Sequence, residues 1–454
     1  MAAAHSVDPE RWSRGFAAVV ARIGPRFARR EPLAHAAGLM LGLLSGLDRK
    51  NCWTIAEHRG DATPHGLQHL LGRARWDADA VRDDLRDYVV DALGDPEAVL
   101  VVDETGDLKK GAASVGVQRQ YTGTAGRIEN AQVAVYLTYA TGRGHALIDR
   151  ALYLPISWAE DPERRAEAKI PPDIGFATKP AQATDMITRA VAAGVPAGWV
   201  AGDEVYGADP GLRYTVQRLG LGYVLGVASN RQVPTEAGPI RVDQLATLVP
   251  TDGWQSYSCG PGSKGHRDYQ WAWFGVLPDT TNPKPDDSDS GEGGDPAATG
   301  THHVLIRRNP ATAELAFFRC YSPRAVPLST LVRVAGKRWR VEESFQAAKG
   351  LTGLDQHQVR RWNSWHRWTT LAMLAHAFLA VTTATEHTAN PSPRGLIAIT
   401  VNEFRRLFNA LLTTPTRTVT TVLAWSTWRR RHQARARHCH YKRRGHHPDH
   451  DLRL

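Results

Sequence analysis

The sequence predicts an α/β core with helical segments on either side of it. Three observations lead there. Val99-Leu100-Val101-Val102 and Gly198-Trp199-Val200-Ala201 are short, uninterrupted apolar runs, as expected of strands buried on both faces. From Ala98 to Val227, such runs alternate with helical stretches, the pattern of a sheet covered by helices. Up to residue 95 the chain carries helix-start signals and no strand run.

Taken in order, Asn51–Arg59 reads as a short helix. Thr63-Pro64 starts another, and Asp77 caps a third that runs through Val81, Leu85, Tyr88 and Val89 at helical spacing. Short helices joined by a tight turn resemble a helix-turn-helix; a plain helical bundle explains the pattern equally well. The first strand is expected to end at Asp103. Ala131–Ala140 and His145–Leu154 form two more, joined by Thr141-Gly142-Arg143-Gly144. A helix over Asp185–Ala193, a strand ending at Asp203, a helix over Asp209–Leu219 and a strand at Tyr223–Val227 complete the alternation.

Between residues 229 and 325, Trp254, Tyr257, Tyr269, Trp271, Trp273 and Phe274 alternate as in β-strands, around a Pro-, Asp-, Ser- and Gly-rich surface loop at 278–300. Leu328–Gly350 reads as one helix, followed by an apolar helix at about Thr369–Thr385, the break Asn390-Pro391-Ser392-Pro393 and a last helical segment with a basic tail. These shifts divide the chain into a helical N-terminal domain (1–95), two parts of a core (96–228 and 326–388), a β-rich insertion (229–325) and a helical, basic C-terminal region (389–454).

With 454 residues, about two or three domains are expected. The formal net charge of +10 points to a polyanionic partner, and the tail from Arg429 to Arg444, with Arg429, Arg430 and Arg431 at its head, contains no acid. Four scattered cysteines exclude a disulfide scaffold and fit a reducing cytoplasm. The N-terminus lacks the apolar core of a signal peptide, and the runs Leu33–Leu47 and Leu371–Ala384 fall short of a membrane span and read as buried helices.

Asp103 and Asp203 each close a strongly apolar run. A carboxylate at the end of a buried strand is held by the sheet and faces the crevice where α/β sheets bind ligands. One such aspartate is most simply a turn or cap residue; two shift the reading to a metal site. A third carboxylate comes from the helix after the insertion. At about 100° per residue, Arg338, Glu342, Phe345 and Lys349 share a stripe roughly 60° wide, whereas Glu343 points elsewhere. Three carboxylates suit Mg²⁺, which takes oxygen ligands, and two such ions drive in-line phosphoryl transfer. Arg338 and Lys349 would grip neighbouring phosphates.

Beyond these residues the chain carries Asn51-Cys52-Trp53, Val102-Asp103-Glu104-Thr105-Gly106, Lys109-Lys110-Gly111, Gly116 to Tyr121, Gly123 to Asn130, Gly202 to Gly207 and Arg338-Trp339 to Lys349. With them it resembles bacterial insertion-sequence transposases of the DDE type, in the branch marked by a Tyr-Arg-Glu-Lys signature, and most of all the group founded by insertion sequence seven-hundred-and-one. The resemblance implies an RNase H-like core, Mg²⁺ (with Mn²⁺ as a substitute), and Asp103, Asp203 and Glu342 as catalytic and metal-binding residues. It implies cleavage at the element's terminal inverted repeats, transfer of the freed 3′-hydroxyl into target DNA, and a homodimer on double-stranded DNA with no membrane association. Arg338 and Lys349 match the signature's Arg and Lys; its Tyr falls on Ala335, a departure. Lys109, Lys110, Arg119 and Arg127 in the shared motifs are candidate DNA contacts. So are Trp271 and Trp273, which together with Trp254 could stack on a flipped base, although any one of them is more simply a core aromatic. Two other readings stay open: a catalytically silent, transposase-derived DNA-binding protein, and an RNase H-fold nuclease for branched DNA.

Other signals carry little. Gly260–Gly265 fits a nucleotide-binding glycine pattern by letter but precedes a strand, so a turn is expected. The histidines around Cys439 match no common zinc spacing and read as an unstructured, DNA-contacting tail. His376 reads as a core histidine, and Glu104, Asp107 and Glu204 as supporting groups.

Overall fold

The computed structural model describes residues 8–262, 265–278, 300–389, 398–412 and 419–443. The loop expected at 278–300, the Asn390–Pro393 break and the last residues of the tail fall almost wholly outside these.

Five helices precede the first strand: α1 (Pro9–Ile23), α2 (Arg30–Leu44), α3 (Cys52–Arg59), α4 (His65–Gly72) and α5 (Ala78–Leu93). Their starts follow local chemistry. Asp8 accepts from Arg11 N ahead of Pro9, Asn51 and Thr54 form a reciprocal cap on α3, and Asp77 accepts from the backbone of Asp79 and Ala80. Pro64, expected as the first helical residue behind a Thr63 cap, takes the cap position itself, so α4 starts one residue later than expected.

The core begins with β1 (Val99–Leu108), β2 (Gln118–Thr122), β3 (Arg127–Ala140) and β4 (His145–Leu152). Then come α6 (Ile156–Ala159), α7 (Pro162–Ala168), α8 (Lys179–Ala192), β5 (Trp199–Gly202), α9 (Glu204–Gly207), α10 (Pro210–Arg218) and β6 (Gly222–Val227). β1 and β3 are antiparallel, β5 and β6 run parallel to β1, and β4 lies antiparallel on the outer side of β3. The order β4-β3-β1-β5-β6 is third, second, first, fourth, fifth, with the second strand reversed: an RNase H-like core. β2 lengthens the β3 edge as a hairpin.

The insertion holds the small hairpin β7 (Gln232–Thr235) and β8 (Gly238–Arg241), α11 (Val242–Thr247), β9 (Gln255–Gly262), β10 (Gly265–Gly275), β11 (Thr301–Arg308) and β12 (Leu315–Ser322). β12 pairs with β6, so the insertion continues the catalytic sheet as β6-β12-β11-β10-β9. The turn expected at Gly260–Gly265 lies partly outside the described residues; Gly262 of β9 pairs with Gly265 of β10.

α12 (Leu328–Lys337), α13 (Trp339–Thr352), α14 (Trp362–Ala389), α15 (Val401–Leu412) and α16 (Val419–Arg443) follow. The single helix expected over Leu328–Gly350 is two. At Arg338 the bonds tighten to Arg338 N→Ala335 O and Val341 N→Arg338 O, a turn too tight to continue the α ladder. α14 is longer than expected and passes the length and composition test for a membrane span, yet 83% of its most apolar window is buried inside the protein. α1, α2, α4, α5, α13, α15 and β4 all pack on it. The N-terminal helices are therefore a bundle around a shared central helix. His376 on α14 is buried, and burial holds its imidazole down at about 3, as befits a core histidine. From Arg429 to Arg443 the tail is helical, where an unstructured tail was expected. Trp428 meets Trp53 of α3 edge-on at 4.5 Å and stacks on His432, and Trp425 donates to Asp61 O, so α16 is docked by aromatic packing.

Candidate active site

β1 does not end at Asp103; it continues to Leu108, because β3 pairs with it over its whole length. Asp103 therefore lies mid-strand, more rigidly held than an end residue. Asp203 follows β5 and caps α9, accepting from Val205 N at 2.9 Å. The parallel register pairs Val101 with Ala201, so Asp103, two residues further along β1, comes beside Asp203 in the turn that leaves β5. The turn carrying Asp203 fits only because its glycines are bare. A Cβ on Gly207 would sit 1.9 Å from Gly226 O.

α13 brings the third carboxylate and its companions. Arg338 reaches Asp103 at 3.9 Å and Glu342 at 3.2 Å, bridging the two. Val341, Phe345 and Ala348 are buried on the sheet side, and Phe345 packs edge-on against Tyr136 of β3. Glu343 belongs to another cluster, paired with Arg340 at 2.5 Å and His145 at 3.3 Å. Burial opposes its charge, but those partners hold its carboxyl down at about 2. Lys349 donates to Gly106 O at 3.0 Å and pairs with Asp107 at 3.2 Å. It is thus a strut from α13 to β1.

Asp103 is deeply placed, its side chain 14% exposed, against 44% for Glu342. Burial, with the carboxylates of Asp203 and Glu104, pushes the Asp103 carboxyl up to about 7 against the pull of Arg338. Asp203 is raised too, by burial first and then by Glu104. Half-buried carboxylates crowded by other carboxylates are hard oxygen donors whose charge a divalent cation would relieve, so the residues fit Mg²⁺. Among the described residues no group of three or more His, Cys, Asp or Glu side chains is gathered closely enough to hold an ion; Glu342 stands beside Arg338 instead.

Glu104 and Asp107, expected as supporting groups, have partners whose contacts carried no sequence signal: Lys179, Tyr206 and His357. Glu104 accepts from Lys179 at 2.6 Å and from the Tyr206 hydroxyl at 2.7 Å, which ties β1 to α8 and α9. His357 lies 3.2 Å from Asp107 and shares a hydrogen bond with it; burial, more than any partner, pulls its imidazole below its ordinary value. A cleft of about 420 Å³ opens beside Asp203, walled by Arg338, Trp339, Ala335 and Phe318. Ala335 is buried in that wall where the family signature has Tyr.

Of the remaining candidates, Trp271 is buried against Phe318, Trp273 stacks on His303, and Arg308 covers Trp254. Lys109 bonds to His357, Lys110 and Arg119 are exposed, and exposed Arg127 pairs with Glu129. Arg429 pairs with Glu57, whereas Arg430 and Arg431 point to solvent.

Two aspartates, one on β1 and one just after β5, thus lie beside an Arg-Glu helix on an RNase H-like sheet. The chain matches two families, DDE superfamily endonuclease over residues 22–244 and transposase DDE domain over residues 179–378. The chain belongs to the DDE transposase superfamily. It is 30% identical over 198 residues to a probable transposase for insertion sequence element IS701 from Microchaete diplosiphon. That alignment covers 43% of this chain and 49% of the relative, so the chain matches about half the relative's length. A solved piggyBac transposase synaptic complex with hairpin DNA aligns over 94% of this chain and 86% of its own, at 12% identity and a TM-score of 0.40.

Proposed function

We propose that the chain is a DNA transposase that cuts at the ends of its element and joins the freed 3′-hydroxyl to target DNA. The observation that carries this reading is the β1–β5 register, which sets Asp103 beside Asp203 in front of the Arg338–Glu342 pair. Asp103 and Asp203, with Glu342 as third ligand, would hold Mg²⁺ or Mn²⁺, which supplies activation of the attacking oxygen and charge neutralisation at the leaving one. The chain's own contribution is positional. The sheet fixes the two aspartates, the Lys349–Asp107 strut fixes α13, and Arg338 stands ready to exchange its carboxylate partners for a phosphate. Exposed cations on α16 and on the β2–β3 hairpin suit double-stranded DNA. Holding two element ends together calls for a homodimer on DNA, and the cytoplasm, where the substrate is, fits the free cysteines.

A cleavage assay on DNA bearing the element's terminal repeats, with and without Mg²⁺, tests this. Asp103→Asn and Glu342→Gln should each lower cleavage by at least about 100-fold. Variants that cut like the parent would sink the site assignment, and tight binding by the parent without any cleavage would favour the silent DNA-binding reading.

A further inference from the structure

Two adjoining clefts of about 530 and 330 Å³ lie where α4, the turn before α5 and the segment leading into α14 meet; Gly72, Arg361 and Ser364 line both. Their rims are cationic. Arg360 and Arg361 are exposed, and among the described residues neither side chain has an acidic partner. Arg73 and Arg75, also exposed, lie on the turn between Gly72 and Trp76, two residues of the cleft walls, and exposed Lys169 lines the larger cleft. The acids nearby are already engaged. Asp77 caps α5, Asp79 pairs with Arg150 at 2.9 Å, and the smaller cleft has no acidic residue in its wall.

Turn and wall are both held by the interior. Buried Arg367 donates to the carbonyls of Leu70, Ala74 and Trp76, which pins the Arg73–Arg75 turn to α14. Val115 N donates to Arg360 O, which pins the wall. Preorganised, exposed guanidiniums on the cleft wall and on the adjoining turn match a polyanionic backbone. The groove also leads to the chemistry. His357, on the same segment, is bonded to Asp107, four residues along β1 from Asp103 and about 13 Å away at the rise of a strand.

We infer that this groove is a clamp for the backbone of duplex DNA, in which Arg73, Arg75, Arg360 and Arg361 hold phosphates flanking the point of cleavage. The inference rests on the proposed transposase reading and adds to it a surface outside the acidic site. These arginines contact phosphate alone, so the clamp holds duplexes of any sequence.

Binding of the full chain to a duplex of arbitrary sequence, without divalent metal and across a salt series, tests it. Arg360→Ala with Arg361→Ala should weaken binding roughly 10- to 100-fold and reduce the log–log salt slope by about 2, since each phosphate contact contributes about 0.9. Arg360→Lys with Arg361→Lys should keep the slope. If the double alanine variant melts early, Arg73→Ala with Arg75→Ala on the adjoining turn gives the same readout. Parent-like affinity and slope in both double variants overturn the clamp and leave the transposase reading standing. A parent chain that does not bind duplex DNA overturns both.

Discussion

Arg338 and Lys349 lie on one face of α13, and each meets an aspartate on β1, Asp103 and Asp107 respectively. The helix is thereby fixed at two points, and Glu342 sits between them. Asp107→Asn removes one anchor and leaves Lys349 half-buried without its counter-charge. It should cost roughly 3 kcal/mol, read as a lower denaturant midpoint, and lower cleavage with DNA affinity unchanged. Unaltered stability would show that Lys349 does not rely on Asp107. The same carboxylate contributes to acid sensitivity. Burial opposes its charge, but His357 and Lys349 hold it at about 2, below its value in the unfolded chain. A depressed carboxyl stabilises above the unfolded value, and that contribution is lost as pH falls from about 4 to 2, for Asp107 on the order of 2 kcal/mol. Asp107→Asn should flatten the fall in melting temperature over that window. At this scale the sequence was partly legible. The helix face that unites Arg338, Glu342 and Lys349 singled out Glu342 over Glu343, and the ion pairs of Glu343 agree. That Lys349 would bind Asp107 was not legible, because the contact depends on β1 running past Asp103 through the polar stretch Glu104-Thr105-Gly106-Asp107.

The turn after β5 depends on Gly207 lying against Gly226 of β6. Gly207→Ala would force backbone apart and should cost about 3 kcal/mol or abolish folding, and any folded variant should lose cleavage because Asp203 caps the displaced α9. Gly111→Ala, which meets open space, is the control and should behave like the parent in both assays. At the C-terminal end, Trp428 holds α16 against α3. Trp428→Ala should release that helix and speed tryptic cleavage at Arg430 and Arg431 severalfold, with little change in the melting of the rest; unchanged digestion would mean that other contacts suffice. The cap at Asp77 was legible, whereas Thr178 caps α8 and starts it at Lys179, six residues before the start expected at Asp185. The break at Arg338 was not legible, since Leu328–Gly350 is helical in composition throughout and only packing against two different partners, the β9–β5 side for α12 and β1 for α13, divides it.

Across the molecule, exposed basic residues lie on surfaces such as α16 and the β2–β3 hairpin, while Asp103 and Asp203 are half-buried. A divalent ion that binds the folded chain through Asp103 and Asp203 should raise its melting temperature. At about 100 times its dissociation constant it adds about 2.7 kcal/mol, which Asp103→Asn should erase. A shift that survives Asp103→Asn would place the ion elsewhere. The α/β alternation was visible because each buried strand is a local apolar run. The continuity of the sheet through the insertion was hidden, because β6 meets β12 across a long stretch of chain and strand pairing leaves no local trace.

The placement of α14 has a further consequence. Helices from before β1 and from after β12 bury their apolar faces on it, and the same hydrophobic cluster takes in β1, β5 and β6. No surface exists along which the N-terminal bundle could melt away from the sheet without exposing that helix to water. The bundle and the RNase H-like core should lose structure together, in one calorimetric transition whose van't Hoff and measured enthalpies agree. A nick between α5 and β1 should leave the two fragments associated until the whole assembly unfolds.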